Sequence, residues 1–546
     1  MFRSGVASAF VTDTVSPASL RVVEPTWDED RLLLVAWTVV MAVAWWRFAS
    51  ISSDRTFMYD EWNFVLNRWQ FELDSFMRPH NSHASMIPAA VFFLLFRAIG
   101  LANYGVYQAV GYLTHFLVAT FLLIAVSRRL GLRIALPVAT AFLFLGTAAE
   151  NTLWPFQIGS MGSIAGCLFA MLALESTKRR APWLVAAGLL ISLGSAGFGV
   201  VAVAGVGVEV LLRRLDRRYW LAVVAPAALW FGWYLAYGTS EAQGENLSKV
   251  APYVHESFAG TVAALVRAPL AWGFVACWIL GALVATRIVR KPLHEARLLG
   301  LVVIVAAYWS LTALSRAQYW SPLGSRYVYV AAPFVLLAIV ELLRNLDRRV
   351  LAPAVLVFCV WSMTATWDAM TAHGRWLREW GEAVGVELRV LESRLDTVPR
   401  DYRPDPTRAP DVAAGPYRRA ITALSTSPAF NAEAAAAASP ASRAEADRVL
   451  SELGAFSVET TESPVGCRPG TESTGEILLG NGSQLVMLTN GPSEIGLRAY
   501  ADEPLAATRV QAPSDRALRV TIDARLPDEQ WRLVLFAADA RACLGQ

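Results

Sequence analysis

Four stretches of this chain hold the residue types and spacings that chemistry needs. The first, MYDEWNF, places adjacent carboxylates at Asp60 and Glu61 and aromatics at Trp62 and, further on, Trp69. A carboxylate facing water at the lip of a membrane bundle can take a proton from a hydroxyl. Trp62 and Trp69 suit either an interfacial belt or stacking on a sugar ring. The second, RPHNSHASMIP, brings His80, Asn81 and His83 together after a proline. These side chains can donate to a phosphate, or bind a divalent cation together with Asp60. The third is Glu150 in AENTLWPFQ, an acid at a helix exit, where it can assist Asp60 with a cation or a second ligand. The fourth, SRAQYWSPLGSRYVY, carries Arg316, Arg326 and Tyr327. Guanidinium matches phosphate through its fork of donors. Each stretch also has a plainer reading: a solvated loop with aromatic anchors, a wet turn, an exposed helix-end acid, or a lipid-headgroup contact.

The elements that must position these residues are transmembrane. The chain has 546 residues, 55% hydrophobic and only 17% charged, with positive mean hydropathy. Soluble domains run nearer a quarter charged. A net charge of +3 is too small to point to nucleic acid. A crossing helix needs roughly 20 apolar residues. On that basis, spans are expected near 32–50, 103–126, 133–149, 160–176, 182–196, 198–212, 219–238, 268–287, 298–314, 327–343 and 350–367, about eleven in all. Residues 1–30 lack an early apolar core and a cleavage site, so the first span is expected to stay as an anchor.

Alternate connections are rich in cations: Arg128/Arg129/Arg133, Lys178–Arg180, Arg213–Arg218, Arg287–Arg297 and Arg344–Arg349. The others hold Asp60, Glu61, Glu150, Glu241, Glu245 and Glu256. Lys/Arg excess marks the cytoplasmic side, which puts the N-terminus inside and everything after Trp367 outside. Met86–Gly100 is apolar but short. Counting it as a crossing would invert the charge pattern downstream, so it is expected to lie at the interface.

The fold class that follows is a mostly α, polytopic membrane helix bundle with interfacial helices and a small C-terminal extracytoplasmic β-sandwich. Its parts are an N-terminal tail (1–30), the transmembrane domain (31–367), a helical and linker region (368–455) and the β domain (456–546). Trp376, Trp380, Leu388 and Leu391 predict a helix over about 368–396. Short alternating segments at Glu476–Leu479, Gln484–Leu488, Ile495–Tyr500, Ala517–Ile522 and Trp531–Phe536 predict strands, with GNGS and NGP as turns. Cys467 and Cys543 fall in the exported tail, where they can pair.

With these residues in view, the chain resembles the GT-C superfamily of polytopic glycosyltransferases, which take sugars from polyprenyl-phosphate carriers. The likeness rests on the acid in the first outer loop (YDEW), the apolar helix after a His/Asn/Pro segment, the acid in the second outer loop, and Arg326-Tyr327 opening a late span. It covers roughly residues 30–367, and the appended β domain is similar to that of actinobacterial cell-wall transferases. The resemblance implies Asp60 as the catalytic acid with Glu61 as the second claimant. It also implies Glu150 as an assistant to a metal or acceptor, although the Arg-x-Asp pattern of several branches is missing there. The donor it implies is a polyprenyl-phosphate-linked sugar, and the acceptor a carbohydrate, lipid or protein at the outer face of the plasma membrane. A single displacement would invert the anomeric centre. Contacts to the lipid phosphate fall to His80, Asn81, His83, Arg316, Arg326, Tyr327 and Trp62. Any divalent cation, magnesium or manganese, falls to Asp60, Glu150 and His83.

A transporter or flippase of a lipid-linked or small substrate is the alternative, since it also needs polar groups facing a cavity. Transporters usually carry internal repeats and broken midplane helices; this chain shows no convincing repeat, and its ionisable groups cluster at one surface. The topology is directly testable. A phosphatase reporter fused after residue 400 is expected to be active in cells and a fluorescent reporter at the N-terminus to fold in the cytoplasm; the opposite pattern would invert the map.

Overall fold

The computed structural model describes residues 27–319, 321–461, 476–480, 482–489, 493–512, 517–523, 531–536 and 540–543. Cys467 and the Cys543 side chain lie outside the described residues, and the expected pairing with them. The bundle begins with α1 (Trp27–Ser52), followed by two short helices, α2 (Glu61–Asn67) and α3 (Leu73–Met77). Next come α4 (Met86–Ala98), α5 (Tyr104–Leu130), α6 (Leu132–Leu143), α7 (Ala149–Leu153) and α8 (Ile158–Ala173). The remaining bundle helices are α9 (Ala181–Ser195), α10 (Phe198–Leu212), α11 (Arg217–Tyr237), α12 (Val250–Ala264), α13 (Leu270–Arg290), α14 (Ala296–Arg316), α15 (Ser325–Leu343) and α16 (Arg348–Glu392).

Among the described residues, eight helices are long and apolar enough to cross a membrane. The pair formed by α6 and the segment Gly146–Leu153 makes a ninth if counted as one span bent by 48°. The expected spans at 182–196 and 198–212 are helices of 15 residues each, α9 and α10, short of that length. α4, at 13 residues, is shorter still.

The bend after α6 is explained by what satisfies its freed backbone. His115 Nε2 donates to the Leu143 carbonyl at 3.0 Å, which leaves Nδ1 to accept from the Tyr329 hydroxyl at 2.7 Å. The Gly146 amide donates to the Thr366 hydroxyl at 3.1 Å. A Cβ at Gly146 would stand 1.8 Å from the Thr366 carbonyl oxygen, so only glycine permits this crossing with α16.

The cations that alternate along the sequence do more than mark a side. At the bundle end opposite Asp60 they are woven into pairs with four acids, three of them buried. Arg129 reaches Glu175 (2.5 Å) and Glu341 (2.7 Å). Arg297 reaches Glu209 (2.8 Å) and Glu175 (3.3 Å), and Arg344 reaches Glu341 (2.7 Å) and Glu295 (2.8 Å). This network joins α5, α10, α14 and α15.

The helix expected over 368–396 is not separate. No breaker lies between it and the last span, and α16 runs unbroken for 45 residues. At 1.5 Å per residue that is about 68 Å, so one end must stand clear of a bilayer. The chain then turns back through α17 (Ala414–Leu424), α18 (Ala432–Ala437) and α19 (Pro440–Glu452). The Thr56 hydroxyl donates to the Pro428 carbonyl (2.9 Å), and the Leu101 amide donates to the Thr426 hydroxyl (2.9 Å), fastening this return to the bundle.

Eight strands follow: β1 (Phe456–Thr461), β2 (Glu476–Leu479), β3 (Gln484–Thr489), β4 (Ser493–Arg498), β5 (Arg509–Ala512), β6 (Ala517–Ile522), β7 (Trp531–Leu535) and β8 (Ala540–Cys543). They form two four-stranded antiparallel sheets, ordered β1-β6-β3-β8 and β2-β7-β4-β5. Leu485, Leu518 and Val520 of one sheet and Leu479, Leu497 and Leu533 of the other share an apolar cluster with Val386 and Val390 of α16. The Asp447 carboxylate on α19 accepts from the Ala499, Tyr500 and Ala501 amides, joining the sheets to the helices.

Removing one partner of a buried ion pair costs about 3–5 kcal/mol. Arg297→Ala is therefore expected to lower the unfolding temperature of the detergent-solubilised protein by several degrees; an unchanged melting curve would contradict the structural weight given to the network.

Candidate functional site

Asp60 sits at the N-terminus of α2, on a turn built for it. Tyr59 adopts a left-handed backbone (φ 47°), which reverses the chain between Met58 and α2. The Glu61 amide donates to the Met58 carbonyl (3.2 Å), and the Glu61 carboxylate accepts from the Met58 amide (3.0 Å). These reciprocal bonds close a ring with Asp60 inside it. The Tyr59 amide donates to the Arg408 carbonyl (3.1 Å), so the returning tail supports the turn from outside the bundle.

A second turn meets it. His80 and His83 exchange backbone hydrogen bonds of 3.1 and 2.9 Å, with Asn81 (φ 47°) and Ser82 (φ 62°) both left-handed. Two consecutive left-handed residues are the geometry of the tightest chain reversals, and asparagine tolerates it well. The turn aims Asn81 Nδ2 at Asp60 Oδ2 (3.2 Å), with His80 Nε2 at 3.7 Å. The His80 ring is held between Phe64 and Phe156, at centroid distances of 5.4 and 5.1 Å.

The third component arrives from two other helices. Arg326, in the first turn of α15, pairs with Glu150 of α7 (Nε to Oε1, 3.1 Å). The Glu150 amide donates to the Ser325 hydroxyl (3.1 Å). The Arg326 charge also acts on Asp60. Burial alone would raise the Asp60 carboxyl, but His80, Arg326 and Asn81 outweigh it and hold the group below the usual aspartate value. Solvent still reaches the Asp60 side chain, which is 39% exposed. Asp60, His80, Asn81, Glu150 and Arg326 thus form one cluster.

Other expected site residues fall elsewhere. Glu61 is fully buried and accepts from the Tyr104 hydroxyl (3.0 Å) as well as from Met58. Burial pushes its carboxyl up to about 7, against the Met58 amide, Arg55, Tyr104 and Trp154. Trp62 is fully buried too, edge-on to Phe57 and Tyr417, so its ring has no face left for a ligand. Tyr327 is buried beneath Arg326, whose guanidinium carbon lies 5.9 Å from the ring centroid. Arg316 is paired with Glu241 (3.3 Å). His83 belongs to the Arg316–Glu241 side, and the surrounding protein and the Arg316 charge hold its imidazole down at about 4.

That divergence corrects the expected metal set. Among the described residues, no group of three or more His, Cys, Asp or Glu side chains stands close enough to hold an ion. Glu150 is engaged by Arg326, His83 lies in the field of Arg316, and Asp60, Glu150 and His83 do not form such a group.

Sequence reading missed an aromatic wall beside the cluster. Tyr59 stacks on Trp380 (centroids 4.8 Å, planes 29°) and meets Trp154 edge-on at 6.0 Å. Trp376 and Trp380 lie 4.9 Å apart on the protruding part of α16. Their helical spacing was legible; their meeting with Tyr59 was not. The tail also brings Asp411, whose carboxyl is held above its usual value by its surroundings and then by the Asp60 charge.

The fold and this cluster define a class: a polytopic membrane helix bundle with a charged cluster at one end and a tail that folds back to support it. No protein-family model matches the chain, and no curated protein matches it. Among solved structures, the apo-state crystal structure of ArnT from Cupriavidus metallidurans is similar to it at 14% identity, covering 68% of this chain and 82% of that one, with a TM-score of 0.46.

Asn81 favours the charged form of Asp60, so losing that donor must raise the Asp60 pKa. An infrared titration of the carboxyl stretch is expected to show Asn81→Ala protonating Asp60 at higher pH than the parent protein. An unshifted titration would remove Asn81 from the electrostatics of the site.

Proposed function

We propose that the protein is a membrane glycosyltransferase of the GT-C kind, moving a sugar from a polyprenyl-phosphate carrier to an acceptor at the extracytoplasmic face. The observation that carries this reading is the pairing of opposite chemistries in one cluster. A solvent-reachable carboxylate held in its ionised form, Asp60, stands in the field of a guanidinium, Arg326, at one end of an apolar bundle. A proton acceptor and an anion-binding group are the two components that transfer from a lipid phosphate requires.

The chemistry is then a single displacement. Asp60 accepts the proton of the acceptor hydroxyl while the hydroxyl oxygen bonds to the anomeric carbon. The bond from that carbon to the phosphate oxygen breaks, and the polyprenyl phosphate leaves with the electron pair. Arg326 faces the charge that grows on the departing phosphate, with Glu150 orienting the guanidinium through their 3.1 Å pair. His80 and Asn81 keep Asp60 ionised and pointed at the acceptor. Attack opposite the leaving group inverts the anomeric centre. Tyr59, Trp376 and Trp380 offer aromatic surface on the acceptor side.

A positioned general base contributes about 10²–10⁴-fold. Purified Asp60→Asn protein is expected to lose roughly that factor in consumption of polyprenyl-phosphate sugar, with an unchanged melting curve. Wild-type turnover by Asp60→Asn would end the assignment of the base, and failure of the parent protein to consume any such donor would end the enzymatic reading.

A further inference from the structure

Two neighbouring carboxylates, Asp60 and Glu61, differ in everything but chemistry. Glu61 has no exposed surface, and its oxygens are taken by the Met58 amide and the Tyr104 hydroxyl. Arg55 lies beside it, buried, with Nη2 donating to the Leu153 carbonyl and the guanidinium 5.6 Å from the Tyr104 ring centroid. Arg55 is itself pinned: a Cβ on Gly381 of α16 would stand 2.4 Å from the Arg55 Cβ. Leu153 ends α7, the helix that carries Glu150. One buried knot therefore touches the turn that bears Asp60, the helix that bears Glu150, and the long helix that bears Trp376 and Trp380.

Within that knot, the bond from the Met58 amide to Glu61 Oε2 spans Asp60 and Tyr59, of which Tyr59 is left-handed. A non-glycine residue in this backbone region is strained and persists only where its surroundings hold it. The Glu61 carboxylate is the side chain that closes the turn, beside the backbone bonds from the Tyr59 amide to Arg408 and from the Glu61 amide to Met58. Released, the turn can relax at Tyr59, and the first side chain to move is Asp60.

We infer that Glu61, backed by Arg55 and Tyr104, is a positioning residue that sets the place of the Asp60 carboxylate, and is not the proton acceptor. The inference rests on the reading of Asp60 as base, but its geometric half can be read without turnover. A misplacement of about 1 Å at a reacting group can cost 10²-fold. Glu61→Leu is thus expected to lower kcat about a hundredfold with the KM for polyprenyl-phosphate sugar unchanged. Glu61→Gln keeps an oxygen for the Met58 amide and is expected to retain roughly a tenth or more of kcat, the rescue that a positioning role allows. An experimental structure of Glu61→Leu is expected to show Asp60 withdrawn from Asn81.

Glu61→Gln as inactive as Asp60→Asn would overturn the inference by making Glu61 the acceptor. Parent-level kcat in folded Glu61→Leu, or an intact Asp60–Asn81 contact in its structure, would overturn it as well. If Glu61→Leu does not fold, Tyr104→Phe removes one donor that orients Glu61 and is expected to lower kcat several-fold at constant KM; no change would count against the knot. Should the parent protein consume no donor, the enzymatic reading fails, while the position of Asp60 in the variant structure still decides this inference.

Discussion

The structure turns on one electrostatic requirement: a carboxylate at the edge of a hydrocarbon layer stays ionised only if donors and a cation surround it. Burial pushes Asp60 toward its neutral form, and His80, Arg326 and Asn81 reverse that push. These partners come from two distant parts of the chain. Asn81 and His80 come from a turn with two left-handed residues, and Arg326 from the first turn of α15. Glu150 steadies Arg326 from the far side of a bent helix pair. The placement of four elements is thus a condition for the charge state of one side chain.

The same cost of isolated charge shapes the opposite end of the bundle, with a different outcome. There, Arg129, Arg297 and Arg344 are matched against Glu175, Glu209, Glu295 and Glu341. Glu209, Glu295 and Glu341 are almost wholly buried. Charges that satisfy one another in this way are structural. Around Asp60 the balance is looser, solvent has access, and the side chain is free to exchange a proton.

Extramembrane structure is part of that site. Because α16 continues past the last span, it carries Trp376 and Trp380 to Tyr59, and the return through 405–430 bonds to Tyr59 and Thr56. The β domain, held by Asp447 on α19 and by Val386 and Val390 of α16, therefore packs on the same long helix whose Trp380 meets the Asp60 turn.

Much of this was legible from residue pattern. Long apolar runs report helices because each residue's hydropathy acts locally, and alternating runs after residue 470 report strands for the same reason. The strands β1, β5 and β8 escaped because they carry few large apolar residues: Phe456 and Val458 in FSVETT, Val510 in RVQA and none in ARAC. Asp60, His80, Asn81, Glu150 and Arg326 stood out by type: ionisable or polar groups beside apolar spans invite a partner. Sequence could not separate Asp60 from Glu61 or give Trp62 a surface. Adjacent residues at the start of a short helix face different ways, and which way is in depends on Tyr104, Arg55 and Tyr417, distant in the chain. It likewise left the metal set open, because which acids and histidines come together depends on the fold and not on their spacing. Residue chemistry alone named the charges and their membrane setting; tertiary packing decided which acid meets water and which is walled in, because burial is a property of neighbours that no single position carries.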